Sequence, residues 1–196
     1  MVAVFVNSYP DPVLPPREIL RYASCKGDAL PPEAVSCIKA LPPTVCGRVC
    51  WAAFEIGETE AGLDLGFAET DSQKLKKNLT GCDKIVLFCA TAGVEFDRMV
   101  RRYERVSPSK ALWYQSIGAA YVEAVCDAFC EDIRARFGET RPRFSPGYGD
   151  LPLSLQTEIF RALQCEKHLG VTLNADLFMT PSKSVTAIVG VKQSNA

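Results

Sequence analysis

Apolar positions along the chain follow two rhythms, one near the helical repeat and one that alternates or runs unbroken. Residues 2–6 form a short apolar run that predicts a strand, followed by a Pro-rich turn through Tyr9-Pro10-Asp11-Pro12. Pro15 and Pro16 open a helix over Arg17 to Tyr22, with Gly27 as its stop. Pro31-Pro32 open a second helix carrying Ala34, Val35, Ile38 and Leu41, which Pro42-Pro43 ends. Val49 to Ile56 alternates loosely around Trp51 and predicts a strand, with Gly62 to Ala68 as its hairpin partner around Gly57 to Ala61. Asp71-Ser72 caps a basic amphipathic helix with Leu75 and Leu79, stopped near Gly81. Lys84 to Ala90 reads as a buried strand, and Thr91-Ala92-Gly93 as a turn into a helix with Val94, Met99 and Val100.

Ser107 as N-cap and Pro108 at the first helical position begin the longest helix. Trp113, Ile117, Ala120, Tyr121, Ala124, Ala128, Phe129 and Ile133 recur at helical spacing up to Phe137-Gly138. Glu123, Asp127 and Glu131 stand four apart and draw one acidic line along it, either a solvated face or a contact for a ligand's ammonium group. Leu153 to Lys167 reads as one amphipathic helix ended by Gly170. Short strands over Val171 to Leu173, Leu177 to Met179 and Ser184 to Val191 follow, with Thr180 to Lys183 as a turn and a polar tail over 191–196. Helices and strands in mixed order, without a sustained βαβ repeat, predict an α+β fold: a single domain over 1–196, its antiparallel or mixed sheet covered by helices on one side.

With 196 residues, 47% of them hydrophobic, the chain can bury a core of its own. A net charge of -1 gives no basic stripe for nucleic acid. No apolar stretch reaches the roughly 20 residues that span a bilayer, and the start lacks the charged region of a signal peptide, so the expected location is cytoplasmic. Nine scattered cysteines, an odd number, argue against a disulfide framework. Cys46 and Cys50, like Cys126 and Cys130, have C-x3-C spacing, which leaves a zinc site open beside the plainer reading of small core residues. His168, in the last turn of its helix, either caps carbonyls or acts as a base. Gly93 either cradles a phosphate or makes a structural turn.

The stretch from Arg141 to Gln156 holds three prolines, two glycines and Tyr148 between two helices. Pro146 biases Ser145 toward an extended backbone and lacks an N–H, while Gly147 and Gly149 leave the main chain approachable. Extended backbone with a guanidinium at one end and an aromatic face at the other suits a small zwitterion.

Arg143-Phe144-Ser145-Pro146-Gly147-Tyr148, then a helix, then Gly170-Val171-Thr172-Leu173 and Pro181-Ser182-Lys183-Ser184-Val185, resembles the C-terminal activation domain of cobalamin-dependent methionine synthase. The likeness is strongest over 119–191; Leu20-Arg21-Tyr22 and Ala90-Thr91-Ala92-Gly93 extend it upstream, as in the free-standing, single-domain members of that family. The resemblance implies a bent antiparallel sheet with helices packed around it and an S-adenosylmethionine site built largely from the motif's backbone. It implies Arg143 for the carboxylate, Ser145, Gly147 and Tyr148 for the nucleoside and sulfonium, and Asp127 or Glu123 for the ammonium. The methyl group would pass to cobalamin on a partner, a corrinoid protein or a methionine synthase lacking its own activation domain, with a flavodoxin- or ferredoxin-type donor supplying an electron. No catalytic acid–base residue and no metal ligand is implied on this chain. Two positions depart from the family pattern: Gly149 replaces a proline, and the C-terminal tyrosine of the large synthases has no counterpart. The alternative function is a non-catalytic docking protein for a corrinoid protein on the same fold.

Overall fold

The computed structural model describes residues 2–60 and 62–192. Its main sheet holds four strands, β1 (Phe5–Tyr9), β2 (Gly47–Glu55), β6 (Cys82–Thr91) and β9 (Ser184–Lys192), all antiparallel and ordered β1-β2-β6-β9. Three short strands, β3 (Gly57–Thr59), β4 (Gly62–Asp64) and β5 (Glu69–Thr70), make a separate small sheet, and β7 (Thr172–Leu173) pairs with β8 (Met179–Thr180). The α+β class is as expected from the element order.

Side chains alternate across the main sheet with period two, and both faces are buried. Val49, Trp51, Val86, Phe88 and Ala90 point to one face, with α1 (Pro16–Tyr22), α2 (Pro32–Lys39), α4 (Glu95–Tyr103) and α5 (Pro108–Phe137). Cys50, Ala52, Phe54, Ile85, Leu87 and Cys89 point to the other, with α3 (Gln73–Asn78), α6 (Leu155–Leu163) and α7 (Cys165–Leu169). This corrects the expectation of helices on one side only. The nearly unbroken apolar run of β2 needs cover on both faces, and the later helices supply the second layer.

The 30-residue α5 organises the first face. Phe129 is fully buried, with its ring 4.8 Å from Phe88 and 6.0 Å from Trp51. Pro108 occupies the first turn as expected, but the side chain of Ser107 makes no cap hydrogen bond; its carbonyl accepts from Ala111 N–H at 3.1 Å instead. Gly118 lets α4 approach, because a Cβ there would stand 2.8 Å from Cγ of the fully buried Phe96 ring. Gly118→Ala, which in an open helix would stabilise by about 1 kcal/mol, is therefore expected to lower the urea midpoint. An unchanged or raised midpoint would show that the α4–α5 contact gives way.

Other boundaries shift. The first strand begins at Phe5 and takes in Tyr9. Helix α1 stops at Tyr22, before Gly27, with Ser24 in the left-handed region at φ 54. The partner predicted for β2 joins β3 in the small sheet, and β2 pairs with β1 and β6 instead; Ala61 of the expected loop lies outside the described residues. Ser72 caps α3, its Oγ accepting from Leu75 N–H at 3.1 Å. The single helix predicted over Leu153 to Lys167 is two, broken at Gln164, whose φ is 48. Val191 and Lys192 belong to β9, so the polar tail starts later than expected, and 193–196 lie outside the described residues.

Candidate functional site

The Arg141 to Tyr148 stretch has two conformations in succession. Thr140 to Phe144 runs antiparallel beside β9: Arg141 N–H donates to Gly190 C=O at 2.8 Å, and Phe144 and Ile188 exchange hydrogen bonds at 2.8 and 2.9 Å. Phe144 turns into the core of the second face, and Arg143 reaches α5 on the first. Ser145 to Tyr148 is a tight turn rather than the extended segment expected: Tyr148 N–H donates to Ser145 C=O at 3.1 Å, with Gly147 at φ +84. Pro146 followed by a residue of positive φ favours this turn. A further bond of 2.9 Å from Gly147 N–H to Leu151 C=O closes it.

Arg143 forks between two carboxylates of α5, one nitrogen donating to Asp127 and the other to Glu123. The two acids are four residues apart and share one helix face. Burial works against the charged guanidinium, but the bond to Asp127 and the attraction of Glu123 outweigh it and push its pKa up. The arginine is thus a fixed cation.

These three residues line a cleft of about 530 Å³ between α1 and α5, with Val13, Pro15, Glu18, Arg21 and Glu131 among the other walls. That volume lies within the usual range for a small-molecule site. Its walls carry four carboxylates (Glu18, Glu123, Asp127, Glu131) against two guanidinium groups (Arg21, Arg143), a balance of minus two. Glu18 and Arg21 pair at 2.6 Å, and Arg21 lies 4.2 Å over the Tyr22 ring. A second cleft of about 520 Å³, lined by Cys130, Arg134, Thr140 and Arg141, opens on the other side of Asp127, Glu131 and Arg143.

Of the six residues singled out from sequence, the fold brings Arg143, Glu123 and Asp127 together. Ser145, Gly147 and Tyr148 sit in the adjoining turn and line neither cleft. Tyr148 is 68% exposed, its ring edge-on to Phe144 at 5.3 Å, so a face is free for a ligand. The walls from α1 were missed: Glu18 and Arg21 meet α5 only through tertiary packing, and the Leu20-Arg21-Tyr22 likeness was their one sequence signal.

Gly149, the departure from the family pattern, has a structural reason. It adopts φ +65 with the Lys74 side chain packed over it. That turn delivers Asp150 to the start of α3, where its carboxylate accepts from Ser72 Oγ at 2.5 Å and from the N–H groups of Gln73 and Lys74 at 3.0 and 3.3 Å. These bonds, led by Ser72, hold the Asp150 carboxyl below its ordinary value of 3.8. A depressed folded pKa contributes stability above the unfolded value that is lost as pH falls through the folded one. The urea midpoint of Asp150→Asn should therefore fall below wild type at pH 7, the gap closing below about pH 3.8. A gap that persists undiminished at pH 2 would rule out the charge as its cause.

Elsewhere, Gly93 makes a turn whose N–H donates to Thr91 Oγ1 at 3.1 Å. His168 offers its carbonyl to Arg48 at 2.6 Å. Cys50 and Cys126 lie on opposite faces of the sheet, so the two C-x3-C pairs do not converge. A cleft of about 710 Å³ opens by α6 and α7 and contains none of the predicted site residues. Among the described residues, no helix is long and apolar enough to cross a membrane.

No family model and no curated protein matches the chain. Among solved structures, it matches the crystal structure of the MetH reactivation domain bound to AdoHcy, with a TM-score of 0.68 over 98% of this chain and 80% of that one, at 16% identity. This chain has the fold of a MetH reactivation domain.

Proposed function

We propose that the chain binds S-adenosylmethionine at Arg143, across the α1–α5 cleft and the adjoining Ser145 to Tyr148 turn, and serves as a reactivation module for a corrinoid protein, working in the cytoplasm. One observation carries the reading: Arg143 forked between Glu123 and Asp127, in a cleft of negative balance, on a fold shared with an AdoHcy-bound domain. The ligand has a sulfonium, an ammonium and a carboxylate, so two arginines among four acids fit its charge. Arg143 takes the carboxylate in a charge-assisted fork, Asp127 or Glu123 takes the ammonium, and the Ser145 to Tyr148 turn faces the nucleoside. Tyr148 offers its exposed face to the sulfonium. Bound in this way, the ligand supplies a methyl group to cobalamin held on a partner, with an electron from a flavodoxin- or ferredoxin-type donor. The residues of this chain bind and orient; none needs to move a proton.

The docking alternative draws on one feature: with Glu123 and Asp127 already on Arg143, the chain is complete without a ligand. Titration calorimetry with S-adenosylmethionine separates the two. Binding, followed by ligand-dependent methylation of a cob(II)alamin partner under a low-potential reductant, is expected. No heat of binding, with a corrinoid protein still captured, would replace the proposal with the docking reading.

A further inference from the structure

The main sheet has one covered border and one open one. At β9, the Thr140 to Phe144 segment pairs alongside Ile188 to Val191, and Ser184 and Thr186 are buried. At β1, among the described residues, no main-chain group from Val2 to Ser8 bonds to anything except β2. Proteins protect such a border with charge, proline, a bulge or a covering segment. The run from Val2 to Tyr9 has no charge and no proline, and its register with β2 is unbroken. Val2, Phe5 and Val6 are 51%, 44% and 44% exposed.

The ladder determines which groups this border offers. Ile56 N–H donates to Asp83 C=O at 3.0 Å, and alternation along the register gives Phe54, Ala52, Cys50 and Arg48 the same bonded pairing with β6. Trp51 and Val49 lie between them and turn to β1, where they meet Phe5 and Asn7. Val4, Val6 and Ser8 therefore direct both N–H and C=O to the open side. The same alternation turns Ile188 and Gly190 outward on the other border, where Phe144 and Arg141 bond to them.

We infer that the open border is a dimerisation edge, on which a second copy of the chain lays its own β1 antiparallel about a two-fold axis between the two Val6 residues. Val6 then exchanges hydrogen bonds with its counterpart, and Val4 with Ser8 of the second copy. Centring on Asn7 instead would set Val4 against Pro10, which has no N–H. The charges beside the strand are ordered for this pairing. At one end the Arg136 guanidinium lies 5.7 Å from the Phe5 ring centre, and at the other Asp132 accepts from the Tyr9 hydroxyl at 2.5 Å. Among the described residues, Arg136 has no carboxylate partner. Antiparallel pairing sets the Arg136 end of each copy against the Asp132 end of the other, a self-complementary arrangement. Because the β9 border is already covered, assembly stops at two copies, with their four-stranded sheets joined into one.

Sedimentation velocity of the full chain tests this. A reversible dimer of twice the 21.4 kDa chain mass is expected. Val6→Lys places like charges directly opposite each other and should weaken the dimer about tenfold. Ser8→Pro removes an outward donor, spares the ladder to β2, and should weaken it to a similar degree. Val6→Cys should link to its own counterpart under mild oxidation, because bonded pairs have Cα atoms about 5.5 Å apart, within disulfide reach. Circular dichroism checks that each variant folds. Should the variants misfold, hydrogen exchange of the wild-type chain decides: the amides of Val4, Val6 and Ser8 should slow as the protein is concentrated, while those of Phe5 and Asn7 stay constant. A chain that is monomeric at every concentration overturns the inference and leaves the border to a different partner. A dimer that Val6→Lys and Ser8→Pro both leave intact overturns it as well.

Discussion

Arg143→Ala is expected to weaken S-adenosylmethionine binding about 50-fold in titration calorimetry. Hydrogen bonds to charged groups contribute about 1.5–3 kcal/mol each, and each 1.4 kcal/mol is close to tenfold in affinity. The fork is lost, but Glu123 and Asp127 then face the ligand's cationic groups unopposed, which offsets part of the cost. Arg143→Lys keeps the charge without the paired geometry and should fall between, near tenfold. Stability should barely register the change. The Arg143 side chain is 26% exposed and its Asp127 partner 67%, and ion pairs so open to solvent contribute about 0–1 kcal/mol. An unchanged affinity in Arg143→Ala would remove the carboxylate assignment and leave the cleft to the acids alone.

Phe129→Ala should be the most damaging single truncation, costing about 3–5 kcal/mol. Its ring fills the space between Phe88 and Trp51 at the seat of α5, and it is wholly buried. Such a loss takes a large share of the roughly 5–15 kcal/mol by which a domain of this size is stable. It also loosens the helix that carries Asp127 two residues earlier, so ligand affinity should fall with it. Phe178→Ala provides the contrast: that ring is 71% exposed, and its loss should stay within about 0.5 kcal/mol. Urea unfolding at constant m-value measures both. A Phe129→Ala cost near that of Phe178→Ala would mean that α5 is held on the sheet by other contacts.

Much of this architecture can be read from the chain, and the exceptions have physical causes. The long helix is legible because Pro108 and Gly138 bound an uninterrupted helical period. The core strand through Ile85 to Ala90 is legible because its apolar run leaves no polar face. The break at Gln164 is not, since neither glycine nor proline announces its left-handed backbone. The turn at Ser145 to Tyr148 is legible in Pro146-Gly147, a turn signature that competes with an extended path through this stretch. At the site, the acids spaced along α5 and Arg143 could be found from spacing and motif. Their mutual pairing, and the wall from α1, depend on contacts between distant segments that no local pattern encodes.

The backbone from Thr140 to Phe144 occupies the flank of β9 and hydrogen-bonds along it. A sheet edge left bare invites another chain to pair with it. The stretch that presents the arginine is thus also a guard against aggregation, leaving β1 as the sheet's other border. Backbone changes there, such as proline at Phe144, should show first as loss of solubility, whereas side-chain changes at Arg143 alter recognition and leave the border closed.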